Sequence, residues 1–289
     1  MKIQLLSDLH LEVHPHFTAL PAAGADVLVL AGDIGSYQYG SLLQGQHFGL
    51  ERFSPLPQWA GWPVPVLFVP GNHEYDAQDW DQAHARLRST CDALGIGWLE
   101  REVVHIGDVR FVGTTLWSDS DALILNAQVQ GLAQQLRLRD KAYRAANFYL
   151  KKTGTTRHGL PWMAAEIREQ ALQCQSWLAA ALARPHAGAT VVVTHYAPSL
   201  LSADPRYGLT PGTAGFCNAL DHLAQHADLW LHGHLHTPID YLLRGQRADG
   251  KRWRCRVLAN PLGYAVKGEQ RAFDPQFTAE VSSPNAECY

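Results

Sequence analysis

The chain has 289 residues, of which 46% are hydrophobic, 18% charged and 10% aromatic, enough core-forming material to exclude wholesale disorder. A formal net charge of −3 supplies no global basic field for nucleic acid or anionic lipid, and no apolar run approaches the ~18 residues of a membrane span. Cys91, Cys174, Cys217, Cys255 and Cys288 are scattered without a CxxC pair, and the start reaches Asp8 after one basic residue, so the expectation is a cytoplasmic protein with reduced thiols and no secretory signal.

Short Val, Ile and Leu runs at residues 3–6, 27–31, 66–69, 191–193 and 229–231 lack polar alternation. Strands buried on both faces read this way, as in a sheet covered by helices. Residues 77–94 predict a helix that ends before Gly95. Residues 103–106 and 109–113, split by Gly107-Asp108, predict a hairpin, as do 239–243 and 253–258 around Asp249-Gly250. The stretch 121–183 is rich in Leu, Ala, Gln and Arg and breaks at Thr153-Gly154-Thr155-Thr156 and at Gly159-Leu160-Pro161, which predicts a helical insertion. After about residue 268 the tail is polar and weakly patterned, with little expectation of order. The length is compatible with one domain over 1–289.

The chemistry lies in the residues immediately after each apolar run. The runs lead in turn to Ser7-Asp8-Leu9-His10, Gly32-Asp33, Gly71-Asn72-His73-Glu74, Thr194-His195, and Gly233-His234-Leu235-His236. Sites in open α/β sheets form outside the carboxyl ends of strands, so five strands would deliver Asp, Asn or His to one rim. Glycine precedes the polar residue in Gly32-Asp33, Gly71-Asn72 and Gly233-His234, where it permits a sharp turn and a close backbone approach. Imidazole and carboxylate without thiolate select Mn, Fe or Zn-type ions. Residues at i and i+2 of extended chain project to one side, so Asp8 with His10, and His234 with His236, are each expected to serve one site. The carboxylate of Asp33 has two oxygens and can bridge two ions.

The ordered set resembles the calcineurin-like metallophosphoesterase family, across residues 8–236. The resemblance implies an α/β fold, a four-layer α/β/β/α sandwich of two mixed sheets. It implies that Asp8, His10, Asp33 and His236 hold one divalent ion, and Asp33, Asn72, His195 and His234 a second, with Mn²⁺ favoured. His73 would be catalytic without binding metal, and a hydroxide bridging the ions would attack phosphorus in line. Protein phosphatases of the family carry an acid where this chain has Ser36, so some other group must orient His73. Asn260-Pro261-Leu262-Gly263-Tyr264 resembles a turn found late in stand-alone bacterial-type members. The expected substrate is a small phosphate ester, a diester before a monoester, with no membrane partner. Nuclease activity or metal-dependent binding without turnover are the alternatives.

The remaining polar residues carry blander expectations. Glu74 reads as structural, His232 as a buried histidine near the site, and Glu12, His14 and His16 as loop residues. Arg252, Arg254 and Arg256 alternate along a strand and read as a solvated face. Tyr37, Tyr39, Tyr196, Tyr207 and Tyr264 are packing or stacking candidates, and Trp162 and Trp177 are expected in the core.

Overall fold

A computed structural model describes residues 1–126 and 131–282. Cys288 and positions 127–130 of the expected insertion lie outside the described residues. In chain order the strands are β1 (Lys2–Leu6), β2 (Val27–Leu30), β3 (Val66–Phe68), β4 (Gly97–Trp98), β5 (Glu102–Ile106), β6 (Val109–Thr114), β7 (Thr156–Arg157), β8 (Leu160–Pro161), β9 (Thr190–Thr194), β10 (Leu229–His232), β11 (Ile239–Gln246), β12 (Arg252–Ala259) and β13 (Thr278–Glu280). The α-helices are α1 (Trp80–Leu94), α2 (Ala122–Asn126), α3 (Leu132–Thr153) and α4 (Ala164–Leu182). Among the described residues no helix is long and apolar enough to cross a membrane.

Two mixed sheets result. One has the order β13-β1-β2-β3-β4 and the other β11-β12-β10-β9-β6-β5. Inner strands pair in parallel, and β13, β11 and β5 add antiparallel edges. Side chains alternate between faces along every strand. Ile3, Leu5, Val27, Val29 and Leu67 of the first sheet meet Phe111, Val191, Val193, Leu229 and Leu231 of the second in one buried layer. The intervening residues Leu28, Leu30, Val66 and Phe68 join another cluster with Leu87, Cys91 and Leu94 of α1, and Val112, Val192 and Trp230 join it with Ala171, Cys174 and Leu178 of α4. Each strand therefore feeds two apolar layers, which is why its sequence shows no polar alternation. This is the mixed α/β architecture of two large sheets and helices that the sequence implies.

Three local departures have physical causes. Helix α1 begins at Trp80 and not at residue 77, because the Asp79 side chain accepts the Gln82 N–H and caps it. Ala77 before it has φ 58 and donates to the carbonyl of Thr153. The break within the helix-rich stretch is a small hairpin of β7 and β8. The tail from 268 through residue 282 packs on the fold, since β13 pairs with β1 and Asn260 bonds Asp274 at both its backbone N–H and its carbonyl. Its polar composition hid backbone hydrogen bonding, which needs no apolar pattern.

The lesser expectations mostly hold. Trp162 is buried, with ring centroids 4.7 Å from Trp117 and 5.4 Å from Trp80, whereas Trp177 is only half-buried against the core. Arg252, Arg254 and Arg256 are exposed, and Arg256 makes a bidentate pair with Asp240. Cys91, Cys174, Cys217 and Cys255 are free and buried.

Candidate metal centre

The five loops that leave β1, β2, β3, β9 and β10 converge. Asp8, His10, Asp33 and His236 form one group, and Asp33, His195 and His234 another, with the potential ligand atoms of each group within 4.8 Å of one another. Asn72 joins the second group, its Oδ1 being 3.2 Å from His195 Nε2. The seven residues expected as ligands are thus brought together, with Asp33 common to both groups. Side-chain alternation does not explain the pairing. Asp8, His10, Asp33, His234 and His236 all have positive φ, between 46° and 73°, so these segments are left-handed and not extended. His234 and His236 fall into different groups, which corrects the expectation for that pair, whereas Asp8 and His10, equally left-handed, share one as expected. Left-handed backbone at a non-glycine residue costs about 1–3 kcal/mol and persists only where its surroundings enforce it.

Enforcement comes from backbone packed on side chain. A Cβ at Gly71 would collide with Asp33 Oδ1 and Asp33 N, and one at Gly233 would sit 2.7 Å from Asp8 Oδ2. Only glycine admits these approaches. The Asp8 carboxylate accepts the His234 N–H, at 2.9 and 3.1 Å from its two oxygens, and Asp33 Oδ1 accepts the His73 N–H at 2.8 Å. Glu74 is structural, as expected, and lies in the first turn of a 3-10 helix over His73–Tyr75. Its buried carboxylate accepts N–H groups from Asp33, Ile34 and Gly71 and so ties the second loop to the third. Burial and the nearby Asp33 charge raise its pKa to about 8.

The imidazoles are pinned at Nδ1. Glu12 Oε1 holds that of His10 at 2.9 Å, Glu269 Oε2 that of His236 at 2.7 Å, the Ala31 carbonyl that of His195 at 2.8 Å, and Asp76 Oδ2 that of His73 at 2.5 Å. Each ring then presents Nε2 to the centre. The Nε2 atoms of His10 and His236 face each other at 3.0 Å. Sequence reading missed Glu12, Asp76 and Glu269 in these roles. Glu12 and Asp76 had a local signal, two residues after His10 and three after His73. Glu269 had none. Ser36 is buried, and its hydroxyl accepts the Gln38 N–H.

Buried charge is the electrostatic mark of the site. Burial works against the Asp8 carboxylate, yet His236 holds its pKa below the usual range, and His195 and His73 hold that of Asp33 well below it. Burial likewise works against charged imidazole, but Asp33 and Asp76 raise His73 to about 10, and Asp33 raises His195 to about 9. Hydrogen bonds to Asp8 and Glu269 raise His236 to about 9. His10 and His234 go the other way, driven well down by burial and by the neighbouring His73 and His195. His232, lowered to about 4 by burial, hydrogen-bonds Ser202 at 3.0 Å and stands outside both groups.

The donor set fits paired divalent cations. Among the described residues, Asp33 Oδ2 and His234 Nε2 are buried without a hydrogen-bond partner, although His195 Nε2 lies 3.2 Å from that oxygen. Buried polar atoms in a satisfied site do not stay so, and both belong to the second group. Aromatic rings enclose the donors. Tyr264 stacks on His10 at 4.3 Å, Tyr196 lies 4.1 Å from His234, and Phe216 lies 5.3 Å from it. Tyr39 and Tyr207 are exposed, and Tyr37 packs under Arg86.

Comparison with known proteins agrees with this fold. The family model described as calcineurin-like phosphoesterase matches residues 1–238. An uncharacterized protein of Acanthamoeba polyphaga mimivirus is 24% identical over 300 residues, covering 94% of each chain. The crystal structure of phosphopantetheinyl hydrolase from Mycobacterium tuberculosis superposes with a TM-score of 0.65 at 19% identity, over 97% of this chain and 98% of that one.

Proposed function

Because the chain belongs to the calcineurin-like phosphoesterase family, and is on that account a metal-dependent phosphoric ester hydrolase, we propose that it works with two ions and prefers phosphodiesters. Asp8, His10, Asp33 and His236 would hold one ion, and Asp33, Asn72, His195 and His234 the other. The observation that carries this reading is the pair of overlapping donor groups built on one shared carboxylate. The mixed oxygen and nitrogen donors suit Mn²⁺ first, with Fe or Zn as substitutes. When bound, such a pair supplies an acidified water as nucleophile and positive charge opposite the phosphoryl oxygens.

The chain's own groups do the rest. His73 is anchored through its N–H on Asp33 and through Nδ1 on Asp76, which leaves Nε2 to meet substrate. The Asp33 and Asp76 carboxylates raise its pKa against burial, which favours the imidazolium, a form suited to a phosphoryl oxygen or to a leaving oxygen that needs a proton. Nearby carboxylates raise the pKa values of His195 and His236 and so favour their protonated forms, and a ligand imidazole must be neutral. Ion uptake therefore releases protons and weakens as pH falls. Leu150 and Thr153 at the end of α3 share a small cavity with Asn72 and Asp76, so the helical insertion adjoins the centre.

The test is hydrolysis of bis-(p-nitrophenyl) phosphate against the monoester, after chelation and after Mn²⁺ is restored. Metal-dependent turnover with the diester faster is expected. A faster monoester would reverse the preference, and turnover of neither with Mn²⁺, Fe²⁺ or Zn²⁺ would remove the catalytic reading.

A further inference from the structure

The family match ends at residue 238, yet the segment after it crosses the site. From the end of β12, Asn260 donates to the carbonyls of Leu5 and Asp274, Leu262 N–H donates to Ser7, and Gly263 N–H donates to Asp8. Tyr264 then lies on His10, Glu269 reaches His236, and β13 returns to pair with β1. Residues 260–280 form a strap from one sheet to the other across the first donor group.

We propose that Glu269 is a positioning residue that makes the first ion position, and not the second, depend on this strap. The inference rests on the two-ion reading above. Glu269 is largely buried, and its Oε2 is fixed a second time by the Tyr264 N–H at 2.8 Å. A Cβ at Gly263 would fall 2.8 Å from that oxygen and 3.1 Å from His236 Cβ, so glycine there lets the strap backbone close on this pair. With its Nδ1 held by Glu269, His236 points Nε2 between His10 Nε2, at 3.0 Å, and Asp8 Oδ1, at 3.5 Å. A carboxylate behind an imidazole fixes the tautomer and strengthens it as a ligand. His10 has the same support from Glu12. In the second group, His195 has its Nδ1 on the Ala31 carbonyl and not on a carboxylate. The strap thus serves one position.

The experiment titrates Mn²⁺ into chelator-stripped, full-length protein by calorimetry, with bound metal counted after gel filtration. Wild type is expected to bind two ions. Glu269→Gln, which keeps size and a hydrogen-bond acceptor, is expected to bind one ion as before and the other about 10–100-fold more weakly. The double variant with His236→Ala should lose no more than His236→Ala alone, because both changes act through one ring. Equal weakening of both ions, unchanged binding, or additive losses would each overturn the proposal, since a strap of merely structural value moves both positions or neither. Should Glu269→Gln fail to fold, Glu269→Asp keeps the charge and is read in the same way with a smaller loss. Wild type binding fewer than two ions would overturn the two-ion reading itself, which separates that failure from this one.

Discussion

The five loops and the strap reach the same centre by opposite routes. Each loop is the short exit of a parallel strand, and its donor appears within a few residues of the sheet, in most cases in strained, left-handed backbone. The strap is mostly irregular, is held by hydrogen bonds to the first loop and to β1, and contributes a carboxylate behind a donor and a ring over another. The difference teaches where strain is tolerated. The loops hold buried charge against an unfavourable backbone because rigid strands enforce both. The strap carries no comparable charge cluster and tunes what the loops have placed.

The largest expected effect breaks the loop side. Asp33 belongs to both donor groups and anchors the His73 N–H. Asp33→Asn would leave Asp8 as the one acid among the expected ligands, so metal content and turnover should fall together. The drop should exceed the about 10–100-fold that loss of a supporting outer partner costs. Metal analysis alongside kinetics checks it. An Asp33→Asn chain that kept both ions and its rate would mean that loops and strap differ in geometry but not in function.

A smaller effect separates catalysis from ion binding on the same side. His73→Ala should retain metal and lose about 10²–10⁴-fold in rate if the imidazolium serves as general acid. Asp76→Asn should lose less, about 10–10²-fold, because His73 stays but its tautomer and charge are no longer set. The sign in pH comes from the cause. The Asp76 carboxylate raises the His73 pKa, so its removal lowers that pKa, and activity that needs the protonated ring should fade at lower pH than in wild type. Stoichiometric metal loss in His73→Ala would place this ring among the ligands instead.

The same contrast explains what could be read in advance. The strands were legible because each feeds two apolar layers, and the donors because every one comes just after such a run. Asp8, Asp33 and His195 are local signals attached to local structure. Glu269 and the ordering of the tail were not legible, since the only thing that marks them is a neighbour distant in sequence: His236 lies 33 residues before Glu269, and the partners of β13 are Lys2, Ile3 and Gln4. Asp76 lay between. Its spacing from His73 was visible, but the family pattern directed attention to Ser36. The left-handed backbone at Asp8, His10, Asp33, His234 and His236 is a tertiary outcome, invisible to an argument from extended chain.

The smallest expected effect tests the strap where it touches no donor. Asn260 is buried, donates to Leu5 and Asp274 carbonyls, and accepts the Asp274 N–H. Asn260→Ala removes the amide and leaves those backbone groups to find water or go unpaired, at a cost of about 1–3 kcal/mol in stability. Chemical denaturation reads that cost directly. Because β13 still pairs with β1 and Glu269 is fixed independently through Tyr264, the second ion should bind as in wild type and the first only slightly more weakly. A stability loss with intact ion binding would make the strap a clasp whose two ends hold separately. Loss of the first ion to the degree expected for Glu269→Gln would instead show that the strap docks as one unit, with Asn260 as its hinge pin, and the contrast between rigid loops and tuning strap would then apply to the strap's position and not merely to its carboxylate.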